Sequence, residues 1–349
     1  MYKLLNLCIN IHKTVDNIHN LIIIIEYLFQ IQYYGMNGAK QMKKVYIDGS
    51  AGTTGLRILD RLSTRKDIDL FILDDEHRKD NDCRKEAINT ADIVFLCLPD
   101  AAAIEAVSML DNDNTVIIDT STAHRTNPAF AYGFPELTGQ REKIAKAKLI
   151  ANPGCHASGF VSLIAPLTEK GVISKVAALS AFSLTGYSGG GKKMISDYEE
   201  NPEKLLAPRI YGLTQMHKHL PEMKMYCNLD YEPIFSPIVS SYYSGMEVVV
   251  SLFKKDINCS IEDIKDVFKN YYTGSIIRYC DAADPDGMLG AAAYTGKDNM
   301  AVGVFGNEDR ITLVSRFDNL GKGASGAAIQ NMNIVLGVDE TTGLNIGED

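Results

Sequence analysis

Three groups of residues in this 349-residue chain have the types and spacing to do chemistry. The first is Asn152-Pro153-Gly154-Cys155, followed by Phe160, Leu163, Ile164 and Leu167, whose recurrence at three, four and seven predicts a helix that starts close to Cys155. A cysteine at a helix N-terminus lies among unpaired amides at the positive end of the dipole, which favours thiolate over thiol and makes a nucleophile at neutral pH. The second group is His217-Lys218-His219. An imidazole titrating near neutrality is the natural proton-transfer partner of a thiol, provided it reaches both the sulfur and the reacting oxygen. Two histidines two apart cannot both take that place on one helix face, and their context does not choose between them. The third is Gly49-Ser50-Ala51-Gly52-Thr53-Thr54-Gly55, between a short apolar run at 44–48 and an amphipathic stretch from Leu56. There Gly49 is expected to make a turn, Gly52 to let the backbone approach a pyrophosphate, and Gly55 to let a helix pack closely on a strand.

Holding these groups requires a scaffold. Near-continuous apolar runs at 69–74, 92–99 and 115–119 are separated by helical stretches such as 101–110. Strands apolar on both faces need a parallel sheet covered by helices, so the first unit is expected to be Rossmann-type and doubly wound. Its second strand ends in Asp74-Asp75-Glu76-His77-Arg78-Lys79. An acid there can hold the ribose hydroxyls of NAD and an arginine the extra phosphate of NADP, which leaves both cofactors open. Beyond Cys155, strand-like runs at 176–184, 234–240, 247–253, 301–305 and 311–317 predict a mixed or antiparallel sheet in a second, α+β unit. The glycine-rich stretch 185–193 is expected as a loop that cradles an anionic substrate with backbone amides and lysine charge. Ala328, Met332 and Val335 mark a last helix expected to return to the first unit, and the polar tail from Asp339 is expected to fray.

Composition narrows the function classes. With 46% hydrophobic and 23% charged residues, and 28 glycines against 11 prolines, the chain is globular rather than disordered, collagenous or coiled-coil, and its length favours two domains. The 44 acidic and 35 basic residues give a formal charge of −9 with no basic stripe, so no nucleic-acid partner is expected. Seven cysteines without a Cys-x-x-Cys spacing suit free thiols in a reducing compartment, and the histidine spacing predicts no metal site. The run at 21–25 is broken by Glu26 and is too short to span a membrane. Residues 1–41 also lack the pattern of a signal or transit peptide and are read as an extension, with Met42 or Met36 the expected start.

Several motifs in order carry a resemblance: Ile47 to Gly55, Phe95-Leu-Cys-Leu-Pro-Asp100, Asp119-Thr-Ser-Thr-Ala-His-Arg125, Tyr132-Gly-Phe-Pro-Glu-Leu137, Asn152 to Cys155, His217-Lys-His219 with Pro221-Glu222, and Lys322-Gly-Ala-Ser-Gly326 with Gln330-Asn-Met-Asn333. In these the chain resembles the N-acetyl-γ-glutamyl-phosphate reductase family in its shorter form, which lacks the first 41 residues. The resemblance implies a semialdehyde- or glyceraldehyde-phosphate-dehydrogenase type of architecture. An NADP-binding domain at 42–155 and 318–338 would be joined to a catalytic and dimerisation domain at 156–317, with the C-terminal helix returning to the first. It implies an NADPH-dependent reduction of a small acyl phosphate through a thioester on Cys155, with His219 placed ahead of His217 as the acid–base group. Implied cofactor contacts are Gly49, Ser50, Gly52, Thr53, Thr54, Gly55, Arg78, Pro99 and Asn331, and implied substrate contacts are Arg125, Gly190, Gly191 and Lys192. A cytoplasmic homo-oligomer, dimer or tetramer, is the family expectation. Enzymes of the aspartate-semialdehyde and acetyl-aminoadipate pathways share this chemistry; the Asn152–Cys155 and His217–His219 motifs argue against the first and leave the second open.

Overall fold

Strand β1 (Lys43–Asp48) sets the pattern of the first sheet, with Val45 and Ile47 pointing to one face and Tyr46 to the other, all three buried. In the computed structural model, which describes residues 42–347, five further strands join it: β2 (Ile68–Phe71), β3 (Ile93–Leu96), β4 (Val116–Asp119), β5 (Ala131–Tyr132) and β6 (Leu149–Ala151). They pair in the order β2-β1-β3-β4-β6-β5, all parallel. The expected extension at 1–41 lies outside the described residues. Helices α1 (Thr53–Ser63), α2 (Asn81–Thr90), α3 (Asp100–Ser108) and α4 (Gln140–Lys146) complete the two faces. Ile58 and Leu62 of α1 and Ile144 of α4 share one core, while Ala87 and Ile88 of α2 and Ala103 and Ala106 of α3 share the other. In such a sheet ligands bind beyond the carboxyl ends of strands where the strand order reverses, here between β1 and β3.

The second unit opens with α5 (Cys155–Glu169), followed by β7 (Ser180–Gly186), α6 (Gly191–Glu200), β8 (Arg209–Ile210), α7 (Leu220–Tyr226), β9 (Ile234–Ser240), β10 (Met246–Phe253), α8 (Ile261–Tyr271), β11 (Ile277–Tyr279), β12 (Met300–Gly306) and β13 (Arg310–Phe317). Its strands form a mixed sheet in the order β11-β12-β13-β10-β7-β9-β8. One face buries Phe160, Leu163 and Leu167 of α5 against Val248, Val250 and Leu313. The other face leaves Phe182, Ile234 and Phe253 exposed. Tyr132, Phe134 and Leu137 join this second core although they precede Cys155.

The last helix, α9 (Gly326–Leu336), returns to the first sheet, where Ala328, Ile329 and Met332 pack with Ile58 and Leu62. Between β13 and α9 the chain makes one π-helical turn at Gly321–Ser325. Two ion pairs join α1 to the second unit, Arg61 to Asp298 at 2.6 Å and Arg57 to Asp318 at 3.8 Å.

Three local expectations need correction. The strand predicted at 176–184 starts at Ser180, after a turn. The supposed loop 185–193 is the end of β7, a 3₁₀ turn over Tyr187–Gly190 and the start of α6. The glycines are confined to the corner, with Gly191 at φ +72°, and helix formers take over from Lys192. The tail is held rather than frayed over its described residues, up to 347: Asn333 Nδ2 donates to the carbonyls of Glu340 and Thr342, and the Asn345 amide donates to Asp298 at 2.8 Å.

Candidate active site

Cys155 is the first residue of α5, with Gly154 as its N-cap. The residues before it are held by a ring of side chains from four elements. Arg125 Nε donates to the carbonyl of Asn152 at 2.9 Å, and the Gly154 amide donates to Glu222 Oε2 at 3.0 Å. Arg125 and Glu222 are themselves paired at 2.9 Å, both buried, and the Tyr132 hydroxyl donates to Glu222 Oε2 at 3.1 Å. Asn152 Nδ2 donates to Ala324 of the π-helical turn at 3.0 Å. A β-carbon at Gly154 would come within 2.4 Å of His219 Nε2 and 2.5 Å of Arg125 Nη1, so only glycine fits, and the imidazole lies directly against the residue preceding the sulfur.

His219 and His217 both approach the start of α5, because the two residues lie in a turn before α7 and not on one helix face. Their rings are 4.8 Å apart and nearly perpendicular, and each lies 5.5 Å from the ring of His156. This third histidine, one residue past the nucleophile, was not picked out by the sequence analysis. Burial, reinforced by Arg125, holds His219 well below its ordinary range; burial also lowers His217 to about 4 and His156 to about 3. All three are therefore neutral imidazoles at neutral pH.

Burial likewise pushes the Cys155 thiol up to about 11, with Arg125 and Lys218 pulling it the other way. The thiolate expected from the helix end is thus not the resting form, because loss of water around the sulfur outweighs the positive groups near it. The resting cleft holds a thiol and a neutral imidazole, with His219 Nδ1 buried and, among the described residues, without a partner.

A cleft of about 400 Å³ brings Cys155, His217, His219, Arg125, Thr53 and Thr54 to one space. Gly190 and Gly191 also line it. Lys192 is exposed outside the lining, since its position on α6 turns it to solvent, and Lys218 is the lysine at the cleft. Arg125 has already committed three donors, to Asn152, Glu222 and the Thr120 carbonyl. Gly49 and Gly55 admit no β-carbon, which would come within 2.4 Å of the Cys97 and Gly49 carbonyl oxygens respectively, and Ser50 and Gly52 complete the turn. Among the described residues Thr53 Oγ1 is buried without a partner at the start of α1, where the first amides lack helical acceptors. A tight turn with an orphaned hydroxyl and free amides fits a dinucleotide pyrophosphate. Pro99 is the exposed N-cap of α3 at the end of β3. Arg78 pairs with Asp75 at 2.7 Å in the turn after β2. Asn331 is a correction: it is wholly buried, donating to the Gly133 carbonyl and to Asn152, so it braces the cysteine loop from behind and does not line the cleft.

Residues 73–147 match the family model for the semialdehyde dehydrogenase NAD binding domain, and residues 155–319 that for the semialdehyde dehydrogenase dimerisation domain. The N-acetyl-γ-glutamyl-phosphate reductase of Brucella suis is 45% identical over 306 residues, which cover 84% of this chain and 99% of the relative. The chain belongs to the N-acetyl-γ-glutamyl-phosphate reductase family. The reductase of Brucella ovis is 44% identical over the same share. Among solved structures, aspartate semialdehyde dehydrogenase II of Vibrio cholerae has a TM-score of 0.66 at 17% identity, covering 85% of this chain and 99% of that one. The aspartate semialdehyde dehydrogenase of Francisella tularensis has a TM-score of 0.64 at 14% identity, covering 84% and 100%. These two share the fold.

Glu222, Tyr132 and Lys218 are neighbours of the cleft and the cysteine loop that sequence reasoning left inside motifs without a role. A glutamate following a proline at the start of a helix gives no sign that it will grip an amide 68 residues away.

The protonation states carry a pH dependence. In the fold, His156 and His217 take up protons only near pH 3 and 4, and His219 lower than its ordinary range, against about 6.5 in the unfolded chain. Their contribution to stability is full above about pH 6.5 and is lost as the pH falls toward 3. For Cys155, alkylation by iodoacetamide in the free enzyme should rise steadily through pH 7 to 10, without the low plateau of a preformed thiolate–imidazolium pair. A plateau below pH 7 would contradict the thiol and neutral-base resting state.

Proposed function

We propose that this chain carries out the reductive dephosphorylation of N-acetyl-γ-glutamyl phosphate to N-acetylglutamate 5-semialdehyde, the third step of arginine biosynthesis. The observation that carries the reading is the half-buried Cys155 thiol, which shares one cleft with the neutral His219 imidazole and with Thr53 and Thr54 after the glycine turn. His219 takes the thiol proton as Cys155 Sγ attacks the γ-carbonyl carbon. The tetrahedral adduct collapses with loss of phosphate, leaving a thioester on Cys155, so one difficult substitution becomes two easier steps. A reduced nicotinamide dinucleotide, when bound, supplies the hydride that reduces this thioester. His219 returns its proton to the oxygen, and collapse of the thiohemiacetal frees the aldehyde and restores the thiol. His217, at the mouth of the same cluster, orders the turn that carries His219, whose amide donates to His217 Nδ1 at 3.2 Å.

Arg125 and Lys218 supply the positive charge for an anionic substrate, with the Gly190 and Gly191 backbone on the opposite wall. The cofactor is held by Gly49 to Gly55 and by Pro99 near the end of β3. NADPH is favoured over NADH because Asp74 Oδ1 is spent on its own turn, accepting from the amides of Glu76 and His77 and from the His77 ring. Arg78 meanwhile is exposed, and among the described residues its side chain pairs only with the solvent-facing Asp75, a partner that a ribose phosphate can replace. The exposed face of the second sheet, with Phe182, Ile234 and Phe253, is the surface for a second copy of the chain. Free thiols at all six described cysteines suit the reducing cytoplasm.

Incubating the protein with the acyl phosphate and no cofactor should trap an acyl group on Cys155, detectable by intact mass and peptide mapping. A label on Cys97 or Cys227 instead would sink the assignment. His219→Asn should lower turnover by roughly 10² to 10⁴ while cofactor affinity holds. Arg78→Ala should raise KM for NADPH far more than for NADH; equal losses would place the phosphate contact elsewhere. Phe182→Glu should shift the protein toward monomer in light scattering after gel filtration, and an unchanged mass would move the subunit contact off this sheet.

A further inference from the structure

Behind Cys155 lies a chain of three groups that the mechanism above does not use. His156 Nδ1 is 2.6 Å from Ser183 Oγ, and its Nε2 is 2.7 Å from the Tyr211 hydroxyl. Ser183 is wholly buried on β7, and among the described residues its hydroxyl has no partner other than His156. Tyr211 lines the cleft together with Cys155, and its hydroxyl likewise bonds only to His156.

Donor accounting fixes the direction of these bonds. A neutral imidazole has one donor and one acceptor, so the two hydroxyls must play opposite parts. If Nδ1 carried the proton and donated to Ser183, the serine proton would be buried with no acceptor, a cost of about 1–3 kcal/mol. Ser183 therefore donates to Nδ1, the ring proton sits on Nε2, and Nε2–H donates to the Tyr211 oxygen. A doubly protonated ring would orphan the serine proton in the same way, and burial keeps His156 neutral. With its oxygen already accepting, Tyr211 has its own O–H free, and the cleft is where that proton can find an acceptor.

We propose that Tyr211 is a catalytic residue that donates a hydrogen bond to the carbonyl oxygen of the acyl group on Cys155, with Ser183 and His156 as positioning residues that fix its polarity. The proposal rests on the thioester reading of the site. A donor aimed at an oxygen that gains negative charge, in a site shielded from water and oriented in advance, stabilises the transition state more than the bound substrate. No proton is transferred along the chain; the relay sets only which way each O–H points.

The test is a double-mutant cycle on Tyr211→Phe and Ser183→Ala in the intact enzyme, assayed with the semialdehyde, phosphate and NADP. Tyr211→Phe should lower kcat by roughly 10² and leave KM within about threefold. Ser183→Ala frees the ring to take the opposite tautomer and accept from Tyr211, so kcat should fall about tenfold, and Ser183→Thr should recover most of it. In the Tyr211→Phe background Ser183→Ala should cost nothing further, because its effect passes through the missing hydroxyl. Losses that multiply, or a Tyr211→Phe variant that raises KM with kcat unchanged, would overturn the proposal. Acyl trapping on Cys155 is run in parallel: a wild-type enzyme that never acylates would defeat the thioester reading, whereas normal acylation with a fully active Tyr211→Phe defeats only this inference.

Discussion

The site depends on one buried ion pair. Arg125 lies beyond the end of β4 in the nucleotide-binding sheet, and Glu222 lies on α7 of the second unit; their 2.9 Å contact closes over the loop that presents Cys155. Each partner also grips that loop, Arg125 through the Asn152 carbonyl and Glu222 through the Gly154 amide. A buried pair of this kind adds little stability over an apolar substitute, but losing one partner strands the other charge at a cost of about 3–5 kcal/mol. What it supplies here is position. The backbone just before Cys155 is fixed to both units at once, through the Asn152 carbonyl and the Gly154 amide.

That arrangement explains the chemistry of a thiol that rests in its protonated form. The same packing that strips much of the water from the half-buried Cys155 keeps three imidazoles neutral, so thiol and imidazoles alike rest uncharged. A protonated thiol is poorly reactive toward adventitious oxidants and electrophiles, which act on the thiolate. On the mechanism proposed above, the site separates protection of Cys155 from its activation, which falls to His219.

Much of this was legible in the sequence, for reasons that can be named. The strands of the first sheet are apolar on both faces, and the Phe160 to Leu167 repeat is a helix whose first residue is Cys155, so periodicity located both the fold and the helix end that carries this cysteine. Gly49 and Gly55 were legible because a β-carbon has no room there. The protonation of Cys155 was not, since a helix end is visible in sequence whereas the depth at which it is buried is a property of what packs over it. His156 and Glu222 were hidden for the same reason: their partners, Ser183, Tyr211, Arg125 and the Gly154 amide, lie far away along the chain. The glycine-rich corner misled because composition averaged a turn with the helix that follows it. The tail misled because a polar segment with side-chain partners in the fold looks the same as one without.

The return of α9 to the first sheet has a consequence for synthesis. A nascent chain that has just completed β13 holds every strand of the nucleotide-binding sheet, yet the face bearing Ile58, Leu62 and Phe95 still lacks Ala328, Ile329 and Met332. That apolar surface stays open while the whole second unit is translated, the interval in which exposed strands and cores invite misassembly. Closure comes with the last few dozen residues, when α9 docks and Asn333 and Asn345 fasten the tail. A chain lacking α9 would keep the second unit's core whole and leave that of the first sheet uncovered.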